Sequence, residues 1–233
     1  MSDFPRYAIY YAPSPISALD RFGTQLLGYD AHEGEDLPFP IAVIHAVPDW
    51  RDITSDPRKY GFHATLKAPF ALAPGMSETE LLNACGDFAA TPRSIPLIRP
   101  IVDSISGFIA VIPVEPSPEL MGLAADCVTA FDSFRAPLTE EDRARRKPSQ
   151  LTAAQREQLD RWGYPYVMEE FRFHMTLTGR LPTERREPIV AMLRSYFAAL
   201  TLTTLAIDRI AVFRQDDAAA RFRIIGQWEL RAT

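Results

Sequence analysis

Two short stretches of the 233-residue chain share a centre that could do chemistry: Phe62-His63-Ala64-Thr65-Leu66 and Phe173-His174-Met175-Thr176-Leu177. Side chains alternate between the two faces of an extended strand, so His63, Thr65 and Lys67 are expected on one face and Phe62, Ala64 and Leu66 on the other. The second copy reads the same way, with His174, Thr176 and Thr178 opposite Phe173, Met175 and Leu177. A half-buried strand needs only one apolar face, and packing gives no reason for the other face to carry His-x-Thr twice. Histidine titrates near neutral pH, so one ring can accept a proton while another donates one. Set either side of a phosphodiester, His63 and His174 could serve as base toward water or an internal hydroxyl and as acid toward the leaving oxygen. Thr65 and Thr176 would aim hydroxyls at the non-bridging oxygens, where transition-state charge gathers, and Lys67 could add a positive charge.

Each of these residues also has a plainer explanation. A single buried histidine bonded to a threonine is common, and it is the matched second copy that favours a site. Lys67, near a strand end, could simply be solvated. His32 and His45 lack the pattern and read as surface or loop histidines. Tyr60, Tyr164 and Tyr166 flank the histidine strands, where a ring could line a pocket or pack; Tyr60 is grouped with the candidate substrate-binding residues. Arg143, Arg145, Arg146 and Lys147 follow Glu140, Glu141 and Asp142, a mixed run that reads as a solvated helix face. A second reading lets Arg143 or Lys147 reach the site and hold phosphate. No HExxH, Cys/His zinc spacing, P-loop or GxGxxG is present, so neither a metal nor a cofactor is expected.

The elements that must position these groups can be followed along the chain. Arg6 to Ala12 reads as a strand, with Ser14 as N-cap and Pro15 at the first turn of a helix that Gly28 closes. Tyr29 to Lys59 is irregular and rich in proline, and reads as a long loop region with room for a short helix or strand near Ile41 to Ala46. After the first histidine strand, Ser77 and Glu80 form a capping box ahead of a helix carrying Leu81, Leu82, Cys85 and Phe88. Strands follow at Ile95 to Val102 and Gly107 to Val114, then a helix from Pro118 to Phe131. A polar insert, Arg135 to Trp162, is helical in pieces. The second histidine strand, Phe171 to Leu181, leads to a helix over Thr183 to Leu200 and two closing strands, Thr203 to Phe213 and Arg221 to Leu230. His63 and His174 lie 111 residues apart, close to half the chain. The order strand, helix, insert, His-strand, helix, strand therefore occurs twice. It predicts a single bilobal domain, lobe one about 1–106 and lobe two about 107–233, with the two polar faces turned to a shared cleft and the inserts as lids.

With 47% hydrophobic residues the chain can bury a core, and its net charge of −5 argues against nucleic acid or an anionic membrane as partner. A small phosphorylated substrate fits better. Apolar runs are of strand length, below the roughly 20 residues of a membrane span, and the proline-broken N-terminus does not read as a signal peptide. Cys85 and Cys127 read as free thiols, and a cytoplasmic protein is expected.

Paired His-x-Thr strands in two halves of a chain of this length resemble the two-histidine (2H) phosphoesterase superfamily. The strings YGFHATLKAPF, RYAIYYAP and FRFHMTLTGRL are similar to a bacterial branch described as phosphonate-metabolism proteins. The resemblance implies an α+β, pseudo-twofold fold in which antiparallel sheets frame a central cleft, with helices outside. It also implies metal-independent opening of a cyclic phosphodiester, with His63 and His174 as the acid/base pair and Thr65 and Thr176 binding phosphate. A sugar cyclic phosphate such as phosphoribosyl cyclic phosphate is the substrate the branch suggests. RNA ends bearing a 2′,3′-cyclic phosphate, or phosphate-ligand binding without turnover, are the alternatives.

Overall fold

A computed structural model describes residues 4–233. β1 (Arg6–Tyr11) is followed by α1 (Ala18–Leu27), the hairpin β2 (Tyr29–Asp30) and β3 (Glu35–Asp36), and three short helices, α2 (Ile41–Ala46), α3 (Trp50–Ile53) and α4 (Ser55–Arg58). β4 (Ala64–Ala71) and α5 (Glu78–Ala90) precede β5 (Leu97–Ile98) and the hairpin β6 (Pro100–Ile105) and β7 (Phe108–Pro113). Helices α6 (Pro118–Ala130), α7 (Glu140–Arg145) and α8 (Ala153–Trp162) lead to β8 (Met175–Thr176) and α9 (Thr183–Ala198). The chain closes with β9 (Leu205–Ala206), β10 (Arg209–Gln215) and β11 (Arg223–Glu229).

Seven strands make one antiparallel sheet in the order β11-β10-β1-β4-β8-β7-β6. The fold is thus mixed α and β with antiparallel pairing, as expected. The expected division near residue 106 does not follow the sheet, however. β6 pairs with β7 across the tight connection at Ser106 and Gly107, while β10 and β11 from the chain's end return to β1. Each half of the sheet therefore draws on both halves of the sequence.

One face of the sheet, with Ile9, Ala64, Leu66, Val111, Met175 and Val212, packs on α1, α5, α6 and α9 through Phe22, Leu81, Cys85, Leu123, Cys127 and Leu193. The other face carries a smaller aromatic cluster of Tyr10, Tyr29, Phe213 and Phe222. The Ser77–Glu80 capping box forms as the sequence predicts. α1 starts at Ser17 rather than Ser14, because Ile16 turns through a φ of 58° and its N–H reaches the Asp20 carboxylate, leaving Ser17 Oγ to accept from Asp20 N. The region 29–59 is more ordered than a loop: Trp50 is fully buried and its Nε1 donates to Leu26 O at 2.8 Å.

The second histidine strand is far shorter than the predicted Phe171 to Leu181. Thr178 lines the cleft as expected, but it is buried, and its hydroxyl accepts from Ile109 N at 3.1 Å and donates to Gly179 O at 2.9 Å, so the backbone holds it where the ladder ends. On the first side, α1 approaches the histidine strand at Gly23, where a Cβ would fall 2.0 Å from the Phe62 ring. Gly23→Ala is expected to cost about 1–3 kcal/mol by overpacking, read from urea midpoints, whereas Gln25→Ala on the exposed side of α1 stays within about 0.5 kcal/mol.

Candidate active site

Ala64 pairs with Met175, which sets β4 and β8 side by side at the middle of the sheet. Continuing that antiparallel register places His63 across from Thr176 and Thr65 across from His174. The histidines are then diagonal neighbours, with Cβ atoms roughly 7 Å apart, a separation that two imidazoles can bridge around one phosphoryl group. All four side chains, with Tyr60, line a single cleft of about 730 Å³.

Both rings are oriented in the same manner. His63 Nδ1 lies 2.9 Å from Gly61 O and His174 Nδ1 lies 2.7 Å from Arg172 O. Each neutral ring donates Nδ1–H to the carbonyl two residues earlier, which leaves Nε2 as the proton acceptor. Gly61 holds its carbonyl there with a φ of 77°, and a Cβ on it would meet Ala31 Cβ at 2.7 Å. Thr65 Oγ1 is 3.4 Å from His63 Nε2. Tyr10 stacks on the His63 ring at 3.9 Å, and Phe108 sits 5.4 Å from the His174 ring.

Burial pushes His63 down to about 4; the Gly61 carbonyl works against this and the neighbouring His174 adds to it. Burial lowers His174 as well, against the Arg172 carbonyl. As pH falls from about 6.5 toward about 4, the unfolded chain binds protons that the folded one refuses, so stability falls across that window and is unaffected above it. Melts at pH 4.5 and 7.5 check this: His63→Gln should retain on the order of 2 kcal/mol of what the native chain loses.

Lys67 is corrected by the structure. Between Tyr10–Thr65 and Ile9–Lys67 one step on β1 matches two on β4. This bulge reverses the alternation, so Lys67 turns to the helix side. There its buried Nζ donates to Val128 O at 2.9 Å, at the carbonyl end of α6, and to Asp132 Oδ1 at 3.1 Å. Burial raises the Asp132 carboxyl but Arg135 and Lys67 hold it below its ordinary value. Burial in turn lowers Lys67. Lys67→Ala is expected to cost about 3 kcal/mol by stranding this pair, while phosphate affinity measured by calorimetry changes less than about twofold.

The rim carries Arg6, Arg135, Arg145, Arg146 and Arg180 against Asp56 and Asp142, a positive mouth on an acidic protein. Arg143 pairs with Asp160 at 2.8 Å on the surface, and Lys147 does not line the cleft. From the basic run it is Arg145 and Arg146 that reach it, Arg145 bonded to Asp142 at 2.8 Å and Arg146 over the Tyr164 ring. One wall is the polar insert, tied to the end of β4 by Ala136 N donating to Ala71 O at 2.8 Å. Tyr60 stacks on Phe222 with its ring 6.0 Å from His63. Tyr10, Arg6 and Arg180 carry no sequence signal that marks them. His45 is exposed, and His32 sits between β2 and β3 with Nε2 3.8 Å from Asp20 Oδ1.

A family model described as a protein of unknown function (DUF1045) matches residues 65–223, about two thirds of the chain. The chain belongs to the DUF1045 family. This DUF1045 chain is 39% identical over 227 residues to a protein of Janthinobacterium sp. (strain Marseille) named ribose 1,5-bisphosphate phosphokinase PhnN, covering 93% of the chain and 49% of that relative. A protein of the same name from Laribacter hongkongensis (strain HLHK9) is 32% identical over 220 residues, covering 94% and 50%. The DUF1045 chain thus spans about half the length of these curated relatives. Among solved structures it is similar to E. coli LigT complexed with 3′-AMP, at 11% identity and a TM-score of 0.41, over 98% of this chain and 99% of that one. A structure titled a phosphoesterase matches at 11% and 0.42 over the same shares. No helix among the described residues is long and apolar enough to cross a membrane.

Proposed function

We propose that the protein is a metal-independent phosphodiesterase that opens a small sugar cyclic phosphate, with His63 and His174 as the acid/base pair. The observation that carries this reading is the diagonal placement of two His–Thr pairs in one cleft, each imidazole turned by a backbone carbonyl so that Nε2 is its working nitrogen. One ring takes a proton from water as the oxygen attacks phosphorus, and the other gives a proton to the ester oxygen that leaves. Water is consumed, and a phosphomonoester and a free hydroxyl result. Thr65 and Thr176 donate hydrogen bonds to the non-bridging oxygens, and the arginine rim draws in the anion. Tyr60 forms one side of the substrate pocket.

The name of the relatives supports a ribose phosphate. The half they share with this chain has no G-x-x-x-x-G-K-[ST] loop, so we assign the kinase activity in their name to the other half, and this half to a neighbouring step on a phosphorylated ribose. That fits the phosphonate metabolism to which the sequence resemblance points. Five rim arginines exceed what one cyclic diester monoanion needs and suit a sugar with a second phosphate. The buried free thiols Cys85 and Cys127 suit a reducing cytoplasm.

The same positive rim favours one second reading, an RNA end bearing a 2′,3′-cyclic phosphate. Turnover of ribose cyclic phosphates with and without a terminal phosphate, 2′,3′-cyclic nucleotides and a short cyclic-ended RNA, with chelator present, separates the two. A sugar cyclic phosphate is expected to turn over with chelator, and His63→Ala and His174→Ala each to lose about 10²–10⁴-fold. Preference for the RNA, with binding that weakens steeply with salt, would establish the second reading. Loss of activity to chelator would sink the metal-free mechanism.

A further inference from the structure

The two His–Thr pairs repeat, but their neighbours do not. On β1 the strand partner of Thr65 is Tyr10, whereas on β7 the partner of Thr176 is Ala110. Tyr10 is buried, and its ring lies 3.9 Å from the His63 ring with 21° between the planes. Phe213 packs beside the stack, 4.9 Å from the Tyr10 ring and 5.7 Å from the His63 ring. Tyr10 and Thr65 face each other across β1 and β4, and Thr65 Oγ1 is in turn 3.4 Å from His63 Nε2. His174 has no stacked ring among the described residues: Phe108 approaches it tilted by 56° at 5.4 Å.

We propose that Tyr10 is a positioning residue that makes the two histidines unequal, fixing His63 and Thr65 as the proton-accepting side of the site and leaving His174 to supply the leaving-group proton. The proposal rests on the phosphodiesterase reading and specifies its direction. A ring held between a stacked tyrosine and the Gly61 carbonyl keeps one orientation and is shielded from water on that face. The titratable groups facing it are Tyr10 from β1, Tyr60 ahead of β4 and His174 just ahead of β8, with Asp56 further along the cleft. Attraction of a cation to the tyrosine face works the other way, and lost hydration outweighs it. Burial also keeps the Tyr10 phenol protonated. The attacking water gives its proton to His63 Nε2 as its oxygen bonds to phosphorus. The ester P–O bond breaks, and its oxygen takes the Nε2 proton of His174, which enters the step as an imidazolium with its Nδ1–H kept on Arg172 O; solvent afterwards returns a proton to His174 and removes one from His63.

Histidine titrations by NMR on the full chain, native, Tyr10→Phe and Tyr10→Leu, test this, together with kcat and KM across pH on whichever cyclic phosphate the panel identifies. In the native chain His63 should titrate below His174. Tyr10→Leu should raise the His63 midpoint by about one unit, carry the acidic limb of kcat/KM with it and leave His174 in place. Tyr10→Phe, which keeps the stack, should hold the His63 midpoint and the acidic limb of kcat/KM where they are in the native chain. Equal midpoints in the native chain, or a Tyr10→Leu shift as large at His174 as at His63, would overturn the proposal. If Tyr10→Leu does not fold, the native and Tyr10→Phe measurements still decide it. The titrations need no substrate, so a chain that turns nothing over removes the phosphodiesterase reading while they still decide whether Tyr10 grips His63.

Discussion

The arrangement depends on the pairing of two strands at the centre of the sheet, β4 with β8, in one register. Side-chain direction in a strand has a period of two, so a slip of one residue would turn a whole His–Thr pair from the cleft into the helix-covered core. Ala64 opposite Met175 fixes the parity of both strands together, because each is the buried middle of its His-x-Thr. The shortness of β8 leaves little ladder to hold that register. What holds it is the surrounding packing: Phe173, Met175 and Leu177 in the core and the Thr178 hydroxyl on the backbone of β7.

The site sets a positive rim around a neutral centre. Histidines that are out of water, with aromatic rings as neighbours and no carboxylate among the described residues bonded to them, favour the uncharged form, which suits the ring that takes a proton; the ring that gives one has to be loaded with it first. The arginines line the same cleft, Arg135 and Arg145 already paired with Asp132 and Asp142, and their charges act over distance on an incoming anion. The one lysine on the histidine strand serves neither purpose. Buried on Val128 O and Asp132, it joins β4 to the end of α6, and Asp132 passes the connection on to Arg135 in the cleft wall at 2.9 Å.

The sequence carried the local features well and the long-range ones poorly. Ser77 and Glu80 reveal a helix start because the capping box is a contact within four residues. The shared face of His63 with Thr65, and of His174 with Thr176, follows from strand periodicity and holds wherever the strand is regular. Lys67 departs from it because a bulge is a property of two strands and leaves no mark in one. Ser17 displaces Ser14 as the cap for a similar reason: a turn at Ile16, fastened to Asp20, decides where the helix begins. Tyr10, Arg6 and Arg180 meet the histidines only through the sheet order and the loops around it, which no window of sequence contains. The half-chain repeat is visible in spacing, but the exchange of β6 against β10 and β11 between the halves is not.

That exchange bears on how the molecule can be assembled. β1 lies between β4 and β10, and its partner on the second side comes from residues about 200 positions later. Until that partner is made, Ile9, Tyr10 and Tyr11 form one edge of an unfinished sheet, an apolar ladder open to any other extended chain. A nascent or truncated chain ending before residue 209 would carry both histidine strands and still present that edge. Maturation of the cleft is therefore bound to strands made some 200 residues after β1, and the slow, non-local closure of β10 onto β1 is the stage at which the sheet is most exposed to self-association.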